Sequence, residues 1–199
     1  MNSSALQLPI FPLPLVVLPG EERGLHIFEP RYKLLIAESI ASHRLFGIPC
    51  TKAGRILGFG TMVRVSRVLK KYEDQRLDIM VEGTATFDLE GLMAAETKEV
   101  YGTAMVQVNE EDSLPVTHRI FDLFCSSYHE ITGKILDPDD YAGSDIFRLA
   151  VKLPLHDEQK IGLVSARTLA RRETQLEKIL RYLLLVRKQE QQIRGPVFP

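Results

Sequence analysis

The sequence is poor in the features that place a protein in a membrane or outside the cell. It has only two cysteines, Cys50 and Cys125, and their spacing matches no disulfide or metal-binding motif. We expect both to be reduced, buried thiols of a cytoplasmic protein. No apolar run approaches the roughly 18 residues that a membrane span requires. The apolar stretch at 8–18 is broken by three prolines and lacks the basic flank of a secretory signal.

The sequence also lacks an excess of charge of either sign. Its 25 Lys and Arg residues nearly balance 26 Asp and Glu residues, which gives a net charge of −1. This balance supplies no overall attraction for nucleic acid or for an anionic membrane. The 45% apolar and 26% charged residues are typical of a globular protein. A chain of 199 residues is long enough to form one large domain or two small ones.

The motifs of common catalytic sites are missing as well. Gly133 and Lys134 are followed by Ile135 and have no upstream glycine at P-loop spacing, which excludes nucleotide hydrolysis by that route. His129 and Glu130 begin like a zinc-protease helix, but the second histidine is absent. We therefore expect His129 to be an ordinary surface or core residue.

Two further kinds of site find no support. The acidic residues at 137–140 lack the alternation and the final glutamate of a calcium-binding loop, and they favour a turn between helices. No serine stands out as a nucleophile activated by a lysine. The sequence thus predicts no catalytic residue, no metal site and no cofactor, and it does not identify binding residues.

Two pairs of basic residues are candidates for contacts with nucleic acid. Lys70 and Lys71 fall in a predicted hairpin tip, and Arg171 and Arg172 fall in a predicted helix. Both pairs are short, and we interpret each as a solvated surface feature rather than an RNA-binding face.

The first half of the chain has the pattern of a small barrel or curled sheet with one helix. Residues 8–18 indicate an edge strand or an irregular extended segment because of their prolines. A helix is predicted over 30–43, with Pro30 in its first turn. Its apolar face is predicted to consist of Tyr32, Leu35, Ile36, Ile40 and Ala41.

Short strands with hairpin spacing follow that helix. One strand is predicted to start at Phe46 and end at Pro49, and the next is a β-rich run over 62–69. A hairpin tip at 70–76 leads to an alternating strand at 77–82, and Gly83 indicates a bulge or turn. Further strands are predicted at 84–89 and at 101–108.

The second half is predicted to be helical. Its first helix has an apolar face running from Ile120 to Ile131 and ends at Gly133. Helices follow at 144–153, with Ser144 or Asp145 as the N-cap, at 157–164 and at 168–192. We place the boundary between two subdomains so that 1–112 is the β part and 113–199 is the helical part.

Several segments in a fixed order resemble the N-terminal substrate-recognition domain of the Lon proteases. They are Leu8–Leu13, Val16–Gly20, Phe28–Tyr32, Gly58–Val65 and Asp78–Gly83. Each segment is a weak signal alone, but their order and spacing are specific. The resemblance extends over the whole chain, including the segment from Asp157 to Lys160 and the long last helix.

The resemblance implies an α+β fold, with a PUA-like pseudo-β-barrel that carries one inserted helix and is followed by a helical bundle. It implies that the motif residues are structural, with Glu29 and Arg31 capping and bracing the first helix. It also implies a free-standing member of the family, because the ATPase and the Ser-Lys peptidase of Lon are not in the sequence.

Our leading hypothesis is a cytoplasmic, non-catalytic module that binds unfolded or exposed apolar protein segments, or a partner protein. It would work without ATP, as an adaptor in protein quality control. The alternative is an RNA- or nucleotide-binding PUA-like module, which the near-neutral charge disfavours. A third, weaker possibility is a hydrolase whose site is assembled only by the fold.

Overall fold

The computed structural model describes residues 5–93 and 100–193. The chain divides into two compact units, Met1–Glu110 and Glu111–Pro199. We call them the β unit and the helical unit and describe each separately.

The β unit is a six-stranded antiparallel sheet with one inserted helix. Its strands are β1 (Leu6–Pro9), β2 (Glu22–Ile27), β3 (Phe46–Lys52), β4 (Arg55–Lys71), β5 (Leu77–Met93) and β6 (Thr103–Val108). The strand order is β1-β6-β5-β4-β3, and β2 pairs with the first part of β5. A bridge between Ile10 and Gly47 joins the two ends of this order, so the sheet closes on itself. The predicted barrel with one inserted helix is confirmed.

Helix α1 (Pro30–Ser42) is inserted between β2 and β3 and packs against the barrel. Its Tyr32 ring stacks on Phe11, with 3.9 Å between the ring centroids. Together with Leu35 and Ile36 these rings belong to a core that extends into the barrel strands. Burial of this apolar surface is the main favourable term that holds α1 in place.

The apolar face predicted for α1 is wrong in its last turn. Ile40 is 39% exposed and Ala41 is also exposed, whereas the polar Ser39 is 5% exposed. Ser39 lies one helical turn after Leu35 and Ile36 and continues their buried face, whereas Ile40 lies beside that face. Ile40 thereby becomes available on the surface.

The proline-rich first segment is a strand only as far as Pro9, and 11–18 is irregular. Its apolar residues are nevertheless buried, including Phe11 and Leu18. The prediction that β3 ends at Pro49 is wrong, because the strand continues to Lys52 through a bulge between Pro49 and Thr51. A bulge accommodates a residue that cannot donate to the ladder.

Gly83 lies beside a bulge, as predicted, and also where another backbone comes very close. The register of β4 and β5 shifts between Met62 and Val63, opposite Ala85 and Gly83. A Cβ atom on Gly83 would be 2.2 Å from the carbonyl oxygen of Leu18. Only glycine fits such an approach.

The helical unit contains four α-helices among its described residues. They are α2 (His118–Thr132), α3 (Ile146–Ala150), α4 (Asp157–Ser165) and α5 (Leu169–Ile193), with single 3-10 turns at Glu110–Ser113 and Pro138–Tyr141. The predicted face of α2 is confirmed, since Ile120, Phe124 and Ile131 are buried. Gly133 ends that helix at a φ of 71°, in the left-handed region that favours glycine.

Helix α3 is shorter than the predicted helix at 144–153, although its N-cap is as expected. The carboxylate of Asp145 accepts hydrogen bonds from the backbone N–H groups of Phe147 and Arg148, at 2.8 and 2.9 Å. The following residues form turns up to Pro154. Among the described helices, none combines the length and the apolar character needed to cross a membrane.

Candidate functional site

The β unit has one long strand whose edge is only partly covered. Strand β4 has 17 residues and its neighbour β3 has seven, and their pairing ends where Phe46 meets Val63. From Arg64 to Lys71, β4 pairs with β5 on one side. Among the described residues, no strand pairs with the other side. The backbone N–H and C=O groups of that side are therefore available for another strand.

A groove of about 650 Å³ lies along this open edge, and we call it the β4 groove. One wall is the end of α1 with the residues that follow it, and the other is β4. Its lining residues are Ser39, Ile40, His43, Arg44, Leu45, Arg64, Val65, Ser66, Arg67, Val68 and Thr84. Its volume is within the range of about 300–1,000 Å³ that is typical of ligand sites.

The β4 groove has an apolar side. Ile40 and Val68 expose 39% and 45% of their surface there, and Leu45 and Val65 are half-buried. Single exposed apolar residues are common on proteins, but here two exposed and two half-buried ones line one concave site. A guest segment could therefore bury apolar side chains without a change in the fold.

The groove also carries positive charge. Arg64 pairs with Glu82 at 2.8 Å and Arg67 pairs with Glu22 at 2.9 Å, and all four side chains are at least 30% exposed. Arg44 is exposed and forms no ion pair with any residue of 5–93 or 100–193. Exposed ion pairs of this kind contribute only about 0–1 kcal/mol each, so their partners can be exchanged.

The open edge is not a regular strand. The register with β5 shifts between Val65 and Arg67 and again between Val68 and Lys70, which leaves Ser66 and Leu69 as bulged residues. The Ser66 hydroxyl donates to the carbonyl oxygen of Met80 at 3.2 Å. Bulges are frequent next to binding sites because they re-aim side chains.

A second polar surface lies at the tip of the β4–β5 hairpin. The amine of Lys70 is 4.4 Å from the centre of the Tyr72 ring, and the Arg76 guanidinium is 5.0 Å from it. Asp78 accepts from the Tyr72 hydroxyl at 2.7 Å, and a ring nitrogen of His26 is 2.5 Å from its other oxygen. The hydrogen bonds with His26 and then Tyr72 hold the pKa of Asp78 below its ordinary value.

The helical unit has a cleft of about 520 Å³. Buried Ile131, Leu153 and Leu183 line it together with Lys134, Lys152 and the ion pair of Arg187 with Glu190, which is 3.1 Å long. Helical residues line this cleft, and it has no open backbone edge comparable to that of β4. This cleft is therefore less suited than the β4 groove to bind an extended polypeptide segment.

The interpretation of Arg171 and Arg172 as a solvated pair is wrong for Arg172. That side chain is 0% exposed, and its guanidinium is 2.7 Å from the Asp112 carboxylate. It donates to the carbonyl oxygen of Ala166 at 2.7 Å and lies 4.9 Å from the centre of the Phe147 ring. Arg172 is thus the centre of a buried polar contact, whereas Arg171 is exposed.

Other residues from the sequence analysis lie as ordinary structural or surface residues. His129 is exposed on α2, and Asp137 accepts from the backbone of Asp139 at 3.1 Å, as in the predicted turn. Cys50 is buried as expected, but Cys125 is only partly buried, since it lies at the edge of the buried face of α2. Within the described parts of the chain, no group of three or more His, Cys, Asp or Glu residues is placed to hold a metal ion.

The expectation for the Glu29–Arg31 pair is correct for bracing, and Glu29 is the N-cap residue of α1, but its side chain makes no capping hydrogen bond. Arg31 pairs with the Glu29 carboxylate at 2.8 Å, but that carboxylate accepts no hydrogen bond from the first turn of α1. The backbone carbonyl of Glu29 instead accepts from the N–H groups of Tyr32 and Lys33, at 3.1 and 2.9 Å.

The protein has an α+β fold, with a closed antiparallel sheet that carries one inserted helix and is followed in the chain by a helical unit. Its β4 groove has the form of a recognition site. The chain belongs to the family of the ATP-dependent protease La (LON) substrate-binding domain, whose family model matches residues 7–184. The family predicted from the sequence is therefore confirmed.

Two solved structures show the same fold. A Lon N-terminal domain protein from Xanthomonas campestris is 22% identical and superposes with a TM-score of 0.68, covering 89% of this chain and 98% of that one. The N-terminal domain of a Mycobacterium avium complex Lon protease is 15% identical, with a TM-score of 0.62 and coverage of 88% and 98%. A search of curated proteins found no matching sequence.

Proposed function

We propose that this protein is a non-catalytic recognition module that binds extended segments of other polypeptides in the β4 groove. The observation that carries the proposal is the open edge of β4 from Arg64 to Lys71, which lines a groove with exposed apolar side chains. Membership in a family of substrate-binding domains supports the same conclusion.

Strand addition is the binding mode that fits this site. A guest strand on the β4 edge would form main-chain hydrogen bonds, which give affinity to many sequences, while the groove receives its side chains. At about 3.3 Å per residue, the segment from Arg64 to Lys71 sets an upper limit of about eight residues for a guest strand, and the bulges at Ser66 and Leu69 would divide its pairing into short stretches. Unfolded polypeptides expose many such segments, whereas folded proteins pair or cover most of theirs.

Octapeptides that tile a reduced and carboxymethylated lysozyme, which cannot fold, provide a direct test. We expect a subset to bind by fluorescence anisotropy and to shift the backbone amide resonances of 64–71. N-methylation of one set of alternate peptide bonds should abolish binding and N-methylation of the other set should spare it, because a guest strand turns only every second N–H towards β4. Equal binding of the N-methylated peptides would exclude strand addition.

A pair of matched variants locates the site. Val68→Lys places a charge inside the groove and should reduce binding by at least tenfold, which corresponds to about 1.4 kcal/mol. Leu92→Lys is the control, because Leu92 is an exposed apolar residue of β5 that does not line the groove. Similar binding by wild type and Val68→Lys would show that the site lies elsewhere.

As part of this proposal, the protein acts in the cytoplasm as an adaptor in protein quality control. An adaptor increases the rate at which a protease degrades the polypeptide that it presents. The test measures degradation of carboxymethylated lysozyme by a purified Lon protease, with and without this protein. We expect faster degradation with wild type than with Val68→Lys, and an unchanged rate would argue against the adaptor role.

One observation favours nucleic acid as a second candidate ligand. Lys70 and Arg76 flank the Tyr72 ring, an arrangement of aromatic and cationic groups on which a base can stack. Asp74 and Asp78 lie in the same cluster and offset this positive charge. Gel shifts with a structured RNA at low salt test this candidate. We expect that Lys70→Glu does not weaken any shift, and a shift that Lys70→Glu abolishes would support nucleic acid as the ligand.

A further inference from the structure

The two faces of the open β4 edge differ in chemistry. Residues directly opposite each other in an antiparallel pair point to the same face of the sheet. Val68 is opposite Ile79, which is 0% exposed, so Val68 is on the inner face. Val65 is opposite Val81, which is also 0% exposed, and packs against the same core. The inner face of the edge is therefore apolar.

The outer face of the same edge carries two arginines, each in an exposed ion pair with a glutamate. Arg64 is opposite Glu82 and forms its ion pair there, and Arg67 is opposite the partly exposed Met80. The bulge at Ser66 keeps both arginines on this face, although they are three residues apart. In a regular strand, residues three apart would lie on opposite faces.

The described lining of the groove contains no carboxylate. Three arginines line it, and two of them are paired with glutamates from outside the lining, Glu22 and Glu82. Arg44 has no such partner among the described residues. The groove therefore has an excess of positive charge, and a guest that carries acidic side chains would balance it.

From these observations, and resting on the function proposed above, we infer that the β4 groove selects extended segments in which apolar and acidic residues alternate. Successive side chains of an added strand point to opposite faces of the sheet. One set would pack beside Val65 and Val68 and contact Ile40. The other set would lie beside Arg64 and Arg67, with Arg44 as the lining cation that forms no ion pair with a described residue.

Three synthetic octapeptides of matched length test the inference. One alternates valine with glutamate, the second alternates valine with lysine, and the third has the composition of the first with all valines before all glutamates. We expect the alternating acidic peptide to bind roughly tenfold more tightly than either of the others at low salt, and the difference to shrink at high salt.

Charge reversal in the protein supplies the second measurement. Arg44→Glu should reduce binding of the alternating acidic peptide several-fold and improve binding of the alternating lysine peptide. Arg55→Glu is the matched control, because Arg55 is an exposed residue of β4 outside the groove and the change in net charge is the same. Arg55→Glu should leave the preference unchanged.

The outcomes separate this inference from the function on which it rests. Binding of all three peptides with equal affinity, lost in Val68→Lys, would overturn the selectivity and leave the groove as the binding site. Equal effects of Arg44→Glu and Arg55→Glu would also overturn it, since net charge alone would then explain the preference. If none of these peptides and none of the tiled octapeptides bound, the proposed function itself would fail.

Discussion

The buried guanidinium of Arg172 leads to a stability prediction that can be worked out from its contacts. Replacement of Arg172 by methionine keeps a long side chain in the helical unit but removes the charge. The Asp112 carboxylate, which is 10% exposed, then loses the partner that lies 2.7 Å away. The carbonyl oxygen of Ala166 loses its donor, and the Phe147 ring loses the cation near its face.

The expected loss of stability follows from the buried Asp112 carboxylate, which the substitution leaves without its cation. Removal of one partner from a buried ion pair costs about 3–5 kcal/mol, because the remaining charge is left in an environment that solvates it poorly. Replacement of both partners by apolar residues costs much less or nothing. We therefore expect Arg172→Met to lower the free energy of unfolding by about 3–5 kcal/mol and the double variant Asp112→Leu/Arg172→Met to recover most of that loss.

Urea unfolding followed by far-UV circular dichroism measures these differences. Hydrogen exchange with mass spectrometry then assigns the loss to the helical unit, since the amides of α2 and α5 should lose protection while those of the β unit keep it. The control is Arg171→Met, one residue away and exposed, which should change stability by less than about 0.5 kcal/mol.

Two results would refute the reasoning. A loss below about 1 kcal/mol in Arg172→Met would mean that the buried pair contributes no more than a surface pair. A double variant as unstable as the sum of its single variants would mean that Asp112 and Arg172 act independently.

Three further predictions concern the β unit. Gly83→Ala should destabilise it by about 1–3 kcal/mol or more in urea unfolding, because the new Cβ meets the Leu18 carbonyl. Gly91→Ala is the control on the same strand, since its Cβ meets nothing within 4 Å and the change should be close to neutral. Equal losses of stability in the two variants would refute this prediction. Asp78 has a lowered pKa in the folded state, so its contribution to stability is complete above about pH 4, near its unfolded pKa, and is lost as pH falls through the folded value. The stability difference between wild type and Asp78→Asn should therefore disappear in acid, and a constant difference would contradict the assignment. The hydrogen bond to Asp78 is the main cause of the raised pKa of Tyr72. The same substitution should therefore lower that pKa, as measured in a titration followed by ¹³C NMR of the tyrosine rings.

The elements that a sequence specifies by regular spacing could be predicted. Helix α2 is amphipathic with one helical period, its buried face runs from Ile120 to Ile131, and Gly133 ends it. The alternation around Ile79 and Val81 likewise identified a strand with one buried face. In these segments local pattern and tertiary packing agree, and such agreement is what makes a prediction reliable.

Arg172 shows why other residues could not be interpreted correctly in isolation. Its partner Asp112 is 60 positions away in the sequence, and a basic residue next to Arg171 resembles a solvated pair. A signal was nevertheless present. Arg172 lies three residues after Leu169 and four before Leu176, so it occupies a position of the apolar face of α5. A charged residue at such a position indicates a buried partner.

The β4 groove is formed by features of several segments that are distant in the sequence. It needs the unequal lengths of β3 and β4, the exposed position of Ile40 in the last turn of α1, and the bulge at Ser66. Pairing register and bulge position arise from contacts between distant segments. The sequence therefore predicted the family and the architecture, but it did not locate a binding face.

The irregularity of the open β4 edge has a consequence for how the protein behaves at high concentration. A long, flat strand edge templates the addition of identical chains, and repeated addition leads to aggregates. Bulges at Ser66 and Leu69 interrupt this edge, where Arg64 and Arg67 form ion pairs with Glu82 and Glu22. Two copies that approached edge to edge could not align a continuous ladder. The edge thus accepts a short guest strand of complementary charge while opposing the growth of a sheet from its own copies.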